Sequence, residues 1–87
     1  MKPYRSRLRI IMDILEAICE EDGKVTRIML YANISHDRLM KYLQELSEKG
    51  LVEESEEGRY KLTMKGFRFL EELRKAERLA RAFGFRF

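Results

Sequence analysis

Five residues between positions 35 and 42 have types and spacing suited to a phosphate backbone or a base edge: Ser35, His36, Arg38, Lys41 and Tyr42. Arg38 and Lys41 lie three apart, so on a helix turning about 100° per residue they share a face. Either cation there can donate to guanine or phosphate, and Tyr42 at the flank can donate to phosphate or sugar. Ser35 and His36 stand where a helix start offers free backbone amides to an anion. Asp37 and Glu45 can accept from cytosine or simply steer. The bland alternative is a solvated helix face with two ordinary basic residues. Arg27, Arg59 and Lys61 extend the basic inventory, together with Arg5, Arg7 and Arg9 near the N-terminus. Arg27 suits a backbone contact, or equally a pair with Glu20 or Glu21. Arg59 and Lys61 favour a nucleic-acid contact over a solvated strand edge.

Catalytic chemistry finds no comparable footing. His36 is the only histidine and Cys19 the only cysteine, so neither has the partners that a metal centre, a disulfide or an activated nucleophile needs. Cys19 falls on an apolar helix face and reads as a core residue. Glu20 with Glu21, and Glu71 with Glu72, are sequence neighbours that diverge on a helix, which gives no acid/base dyad. No glycine-rich phosphate loop occurs. The expectation is a protein with no enzymatic activity, no cofactor, no metal and no small-molecule ligand.

The elements that must position the basic residues are marked by glycines. Leu8, Ile11, Met12, Leu15, Ile18 and Cys19 recur at helical spacing over residues 5–21, widened by Ile10, Ile14 and Ala17, which predicts a first helix with two packing partners. Pro3 precedes it harmlessly, and Gly23 closes it in a left-handed conformation. Thr26 is expected to cap a second helix reaching Ala32, with Ile28 and Met29 inward and Asn33 at a left-handed exit. Ser35 then caps a third helix over about residues 35–49, whose stripe is Leu39, Leu43 and Leu46. Asp37 suits its first turn, and Gly50 ends it. Only Asn33, Ile34 and Ser35 separate the second and third helices, a helix-turn-helix spacing. A helical wheel sets Arg38, Lys41 and Glu45 opposite the leucines, on the face such a motif presents to the major groove.

Residues 51–54 and 59–62 then read as short strands joined by Ser55-Glu56-Glu57-Gly58, with Tyr60 and Leu62 inward and Arg59 and Lys61 outward. Thr63 caps a last helix reaching about Phe83, in which Gly66 would let another backbone approach. The fold class is mainly α with a small β-hairpin, a winged helix-turn-helix over 1–62 followed by a C-terminal helix and aromatic tail over 63–87. Glu53, Glu54, Glu56 and Glu57 load the wing with charge that a phosphate backbone repels. Either the tip points away while Arg59 and Lys61 approach the backbone, or the acidic wing meets a protein.

The string Thr26-Arg27-Ile28-Met29-Leu30-Tyr31-Ala32-Asn33-Ile34-Ser35 carries a further signal. With Lys41-Tyr42-Leu43 through Lys49-Gly50-Leu51-Val52, Tyr60-Lys61-Leu62-Thr63 and Lys65-Gly66, it resembles a family of small archaeal winged-helix proteins. That family takes in dimeric ten-kilodalton DNA-binding proteins of thermophilic archaea, archaellum-regulator-like transcription factors and archaeal virus proteins. The resemblance covers nearly the whole chain. It implies a DNA-binding homodimer held by its C-terminal helices, often as an antiparallel two-stranded coiled coil. The residues agree: Phe69, Leu73, Ala76, Ala80 and Phe83 follow a 4-3-4-3 seam, with Phe67, Leu70 and Leu79 as a second apolar line for the helix's own domain. The alternative is a helix packed wholly within its chain. The aromatic tail Phe83-Gly84-Phe85-Arg86-Phe87 is expected to fold back on the dimer or to dock a protein.

Length and charge fit this reading. Eighty-seven residues make one domain, and a chain of that size buries only about 60–65 per cent of its surface, so a core shared between two copies is plausible. Eighteen basic and fifteen acidic residues leave a net charge of +3. Residues 1–11, 24–44 and 58–87 are net basic, while 12–23 and 45–57 are net acidic, so a modest total conceals basic faces. Asn33 and Gln44 are the only side-chain amides, a profile found in proteins from hot environments. With no membrane-length apolar run and no signal-peptide core, a cytoplasmic protein is expected. These strands predict a homodimeric transcriptional regulator that binds double-stranded DNA and no membrane. The alternatives are an architectural DNA-binding protein of little sequence preference and a winged-helix protein-interaction adaptor.

Overall fold

A computed structural model describes residues 5–87; Pro3, expected before the first helix, lies outside them. The elements run α1 (Arg7–Glu20), α2 (Val25–Ala32), α3 (His36–Glu48), β1 (Val52–Glu54), β2 (Tyr60–Leu62) and α4 (Met64–Ala82). This is the predicted order. Ser6, Ser35 and Thr63 cap α1, α3 and α4, each hydroxyl accepting from the amide three residues on, which satisfies one of the four amides a helix start leaves unpaired. The cap of α2 differs from expectation. Lys24 occupies that position without a side-chain bond; Thr26 already lies inside the helix, and Asp22 accepts from the Lys24 amide instead.

One core joins all six elements. Met12, Ile14 and Leu15 from α1 meet Ile28, Leu39, Leu43 and Leu70. The α1 stripe is centred on Ile14 and Ile18, and the helix packs on α2, β2 and α4, one element more than expected. Its edges are less covered. Leu8 in the first turn is 46% exposed and Cys19 in the last turn is also exposed, so the core reading of Cys19 is overturned. Both lie at the rim of a wide apolar arc in the end turns of the helix.

The helix-turn-helix angle is set by Asn33, whose backbone is left-handed (φ 51°), and the Ile34 amide closes the turn on the Met29 carbonyl at 3.1 Å. Strands β1 and β2 pair antiparallel with Glu53 opposite Lys61. Gly23 does not end α1, where Glu21 is the last cap; it runs beside β2, its carbonyl accepting from the Tyr60 amide at 2.9 Å. A side chain there would sit 2.1 Å from the Tyr60 carbonyl oxygen, so glycine is required by contact as well as by its φ of +81°. Gly66 plays the predicted role at the other end, with a hypothetical Cβ 2.0 Å from the Leu51 carbonyl oxygen.

The first half of α4 is thereby part of the winged domain: Gly66, Leu70 and Leu73 are buried and Phe69 packs on the core, so the core continues across residues 62 and 63. The second half is different. Leu79 and Phe83 are 63% and 74% exposed. A turn at Gly84 (φ +87°) brings the tail back on its own chain, where Phe87 packs against the core while Phe85 stays exposed.

Candidate nucleic-acid interface

Burial of Leu39, Leu43 and Leu46 turns the opposite side of α3 outward, and with it Arg38 and Lys41, both exposed. The ion pairs made by α3 residues are Arg7 with Glu45 at 2.6 Å and Lys49 with Glu45 at 4.0 Å, while the His36 ring lies 3.6 Å from the Asp37 carboxylate. Among the described residues, then, Arg38 and Lys41 have no carboxylate partner. Their charges face solvent uncompensated, the condition under which a cation attracts phosphate. Ser35 accepts from the Arg38 amide at 3.4 Å, and His36 is exposed beside it at the positive end of the helix dipole.

Tyr42 is half-buried and packs on the core. Its ring carries the Arg7 guanidinium at 5.7 Å from its centroid, within cation–π range. Arg7, Arg38, Lys41, Tyr42 and Glu45 together line a shallow cleft on the outer surface of α3. The proximity of Tyr42, then the charge of Glu45, raise the Arg7 pKa above its ordinary value.

The three N-terminal arginines have different fates. Arg5 bonds Asp13 at 2.9 Å and the Asn33 carbonyl at 2.7 Å. Arg9 bonds Asp13 through Nε at 2.9 Å and pairs with Glu77. Only Arg7 of the three reaches α3. The wheel contains that information, since Arg7 and Arg9 point about 200° apart on a helix, but which side meets α3 depends on tertiary packing.

The outlying candidates are more occupied than expected. Arg27 pairs with Glu21 at 3.7 Å. On the wing, Arg59 pairs with Asp22 at 3.8 Å and Lys61 with Glu53 at 3.4 Å. Asp22 is held below its ordinary pKa by the Lys24 amide and then by Arg59. These pairs are solvent-exposed and exchangeable, yet they leave Glu56 and Glu57 exposed at the hairpin turn. The wing offers no cationic surplus of the kind α3 has.

The predicted α4 seam is divided. Phe69 and Leu73 serve the chain's own core, while Ala76 and Phe83 are exposed and Ala80 is half-covered. Leu79, assigned to the inward line with Phe67, projects into solvent instead, and Phe67 is 47% exposed. Among the described residues no cluster of three or more His, Cys, Asp or Glu side chains is arranged to hold a metal ion. Nor is any helix there long and apolar enough to cross a membrane.

The profile of the winged helix-turn-helix family matches residues 4–81. No curated protein sequence matches significantly. Among solved structures, the chain is similar to Sso10a-2, a DNA-binding protein from Sulfolobus solfataricus, at 27% identity and TM-score 0.79, over 91% of this chain and 85% of that one. It is also similar to part of NcsB1, an O-methyltransferase of neocarzinostatin biosynthesis, at 25% identity and TM-score 0.60. That likeness covers 76% of this chain but only 20% of the enzyme.

Proposed function

As this chain belongs to the winged helix-turn-helix family, we propose that it binds double-stranded DNA as a homodimeric transcriptional regulator, with α3 in the major groove. The observation that carries this reading is the outward face of α3, where Arg38 and Lys41 stand exposed and unpaired among the described residues. Ser35, His36 and Tyr42 flank them with groups able to hydrogen-bond phosphate and sugar. The likeness to Sso10a-2, a DNA-binding protein, supports it. In this reading Arg27, Arg59 and Lys61 exchange their carboxylate partners for phosphates at the edges of the site, and the protein acts in the cytoplasm without catalysis. Ala76, Ala80 and Phe83, with Leu79, supply the contact between copies. The ion pairs linking α1 to α4 support an origin in a hot environment.

The neutralised, acidic-tipped wing favours a binding mode in which α3 dominates and the wing stays out of the minor groove. Titration of DNA affinity against salt tests the proposal. Log K falls by about 0.9 per phosphate neutralised for each unit of log salt, and Arg38→Ala with Lys41→Ala weakens binding at least tenfold. Unchanged affinity in that double variant rejects α3 as the reading helix. Selection from a random DNA pool separates a regulator from an architectural protein, since a regulator prefers its site by roughly a thousandfold or more over bulk DNA.

A further inference from the structure

Arg7 is the one described N-terminal arginine turned towards α3, and its surroundings are specific. Its Nη2 donates to Glu45 Oε1 at 2.6 Å, and its guanidinium lies over the Tyr42 ring. Glu45 and Tyr42 are three apart on α3 and belong to the outward cleft that Arg38 and Lys41 also line. Despite these contacts the Arg7 side chain is 66% exposed and Glu45 36%. At one edge of the guanidinium Nη2 is held by the carboxylate, one face lies over the ring, and the group lines the cleft while staying largely open to solvent. A guanidinium has five N–H donors in a fixed fork, so engaging one edge orients the rest and reduces the side-chain freedom lost on binding.

Two ligand chemistries fit a guanidinium so held: a phosphate, or the O6/N7 edge of guanine. Glu45 decides between them. A carboxylate bonded to Arg7 offsets its charge and repels an approaching phosphate, whereas a base edge is neutral and suffers no such repulsion. In the major groove the N4 amine of cytosine lies beside the O6 of its paired guanine and donates to a carboxylate. We propose that Arg7 and Glu45 act as one unit that reads a G·C base pair, the guanidinium donating to guanine O6 and N7 and the carboxylate accepting from cytosine N4. Tyr42 is the positioning residue beneath them. The site rests on the reading of α3 as the DNA-contacting helix and adds to it a specificity-determining residue from a different helix. Arg38 and Lys41 attract the duplex; Arg7 with Glu45 discriminates.

The test is selection from a random duplex pool by the full-length protein, followed by affinity measurement on the selected site and on a variant with one G·C changed to A·T. The wild type selects an invariant G·C within each half-site, and changing that pair weakens binding about tenfold or more. Arg7→Ala and Arg7→Lys both lose the discrimination at that one position, because lysine keeps the charge but lacks the fork. Arg7→Ala also weakens binding to every duplex, because Glu45 loses its cation, so the decisive readout is Arg7→Lys, which keeps the charge and the salt slope and loses only the base preference. Glu45→Gln retains binding but relaxes the preference. Arg7 is exposed in the first turn of α1, and unchanged thermal unfolding of its variants confirms intact folding. Three results overturn the proposal while leaving DNA binding by α3 standing: a pool with no base preference, a G·C preference unaltered in Arg7→Ala, or, in Arg7→Lys, a uniform loss on all sequences that keeps the base preference, which marks a phosphate contact. Failure of the wild type to bind any duplex overturns both readings together.

Discussion

Gly66 shows how one residue fixes the relation between α3 and α4. Its α-carbon lies against the Leu51 backbone, and around it the Thr63 hydroxyl donates to the Gly50 carbonyl at 2.6 Å while Lys65 Nζ donates to the Lys49 carbonyl at 2.7 Å. The start of α4 thus ties down the end of α3. Gly66→Ala forces a methyl group into rigid backbone, and the expected loss is about 1–3 kcal/mol or more of unfolding free energy, as for other overpacked sites, measured by urea denaturation. Tyr60 makes a second residue-scale case. Burial, and then Glu54, hold its phenol above the ordinary pKa of 10.0. The folded state therefore favours the neutral phenol: this contribution is intact below about pH 10 and is lost as pH rises through the raised value. Tyr60→Phe flattens the alkaline fall in stability, read from urea midpoints across that range. Gly66 and Tyr60 were both legible beforehand, one from its place in a helix's first turn and the other from strand alternation. Cys19 and Leu8 were not, because periodicity gives a direction around a helix but not how far the neighbouring elements extend along it.

Between elements, the contact of α1 with α4 depends on charges as much as on apolar packing. Arg9 holds Asp13 at 2.6 Å and Glu16 at 3.6 Å and pairs with Glu77. Arg74 reaches Glu16 at 3.4 Å and Glu20 at 3.8 Å. The Asp13 hydrogen bond is the main cause of the raised Arg9 pKa. Arg9, Asp13, Glu16 and Glu77 are all at most 23% exposed, which places them between surface pairs and buried ones. Arg9→Met removes the cation that Asp13, Glu16 and Glu77 share while Arg5, Arg74 and Arg81 each still pair with one of them, and a loss of about 1–2 kcal/mol is expected, nearer the surface class than the buried one. Faster amide exchange in α4 beyond Leu73 would accompany it, since the Arg9–Glu77 pair ties that half to α1. The sequence showed the alternating charge blocks but not their pairing. Glu16 and Arg74 are 58 residues apart in sequence, and only the folded topology brings them together. The helix-turn-helix was the opposite case. Its signals, Asn33, Ser35 and the leucine stripe, are local, so the element carrying Arg38 and Lys41 was legible residue by residue, while Arg7, which reaches it from α1, was not.

At the scale of the whole molecule, α4 is 19 residues long, about 28 Å at the helical rise, and only its first half is used by the core. A 4-3 apolar repeat records that a helix has a partner but not whether the partner is its own domain or another copy. Here the answer changes along the helix, from Phe69 and Leu73 within the chain to Ala76, Leu79 and Phe83 exposed at its end. An apolar strip left open on so small a chain, on the helix where the seam continues, fits self-association through the second half of α4. The full-length chain with Leu79→Glu and Phe83→Glu tests this without removing any core residue. Sedimentation velocity is expected to show a dimer for the wild type and a monomer for the variant. The wild-type melting temperature rises with protein concentration, because a dimer's stability includes its association, and the variant's does not. Bivalent contact multiplies affinity by a factor of about 10²–10⁴, so the variant is expected to bind a two-half-site duplex roughly a hundredfold more weakly while its affinity for a single half-site is preserved. A wild type that sediments as a monomer, or a variant that remains a dimer, rules out this half of α4 as the contact.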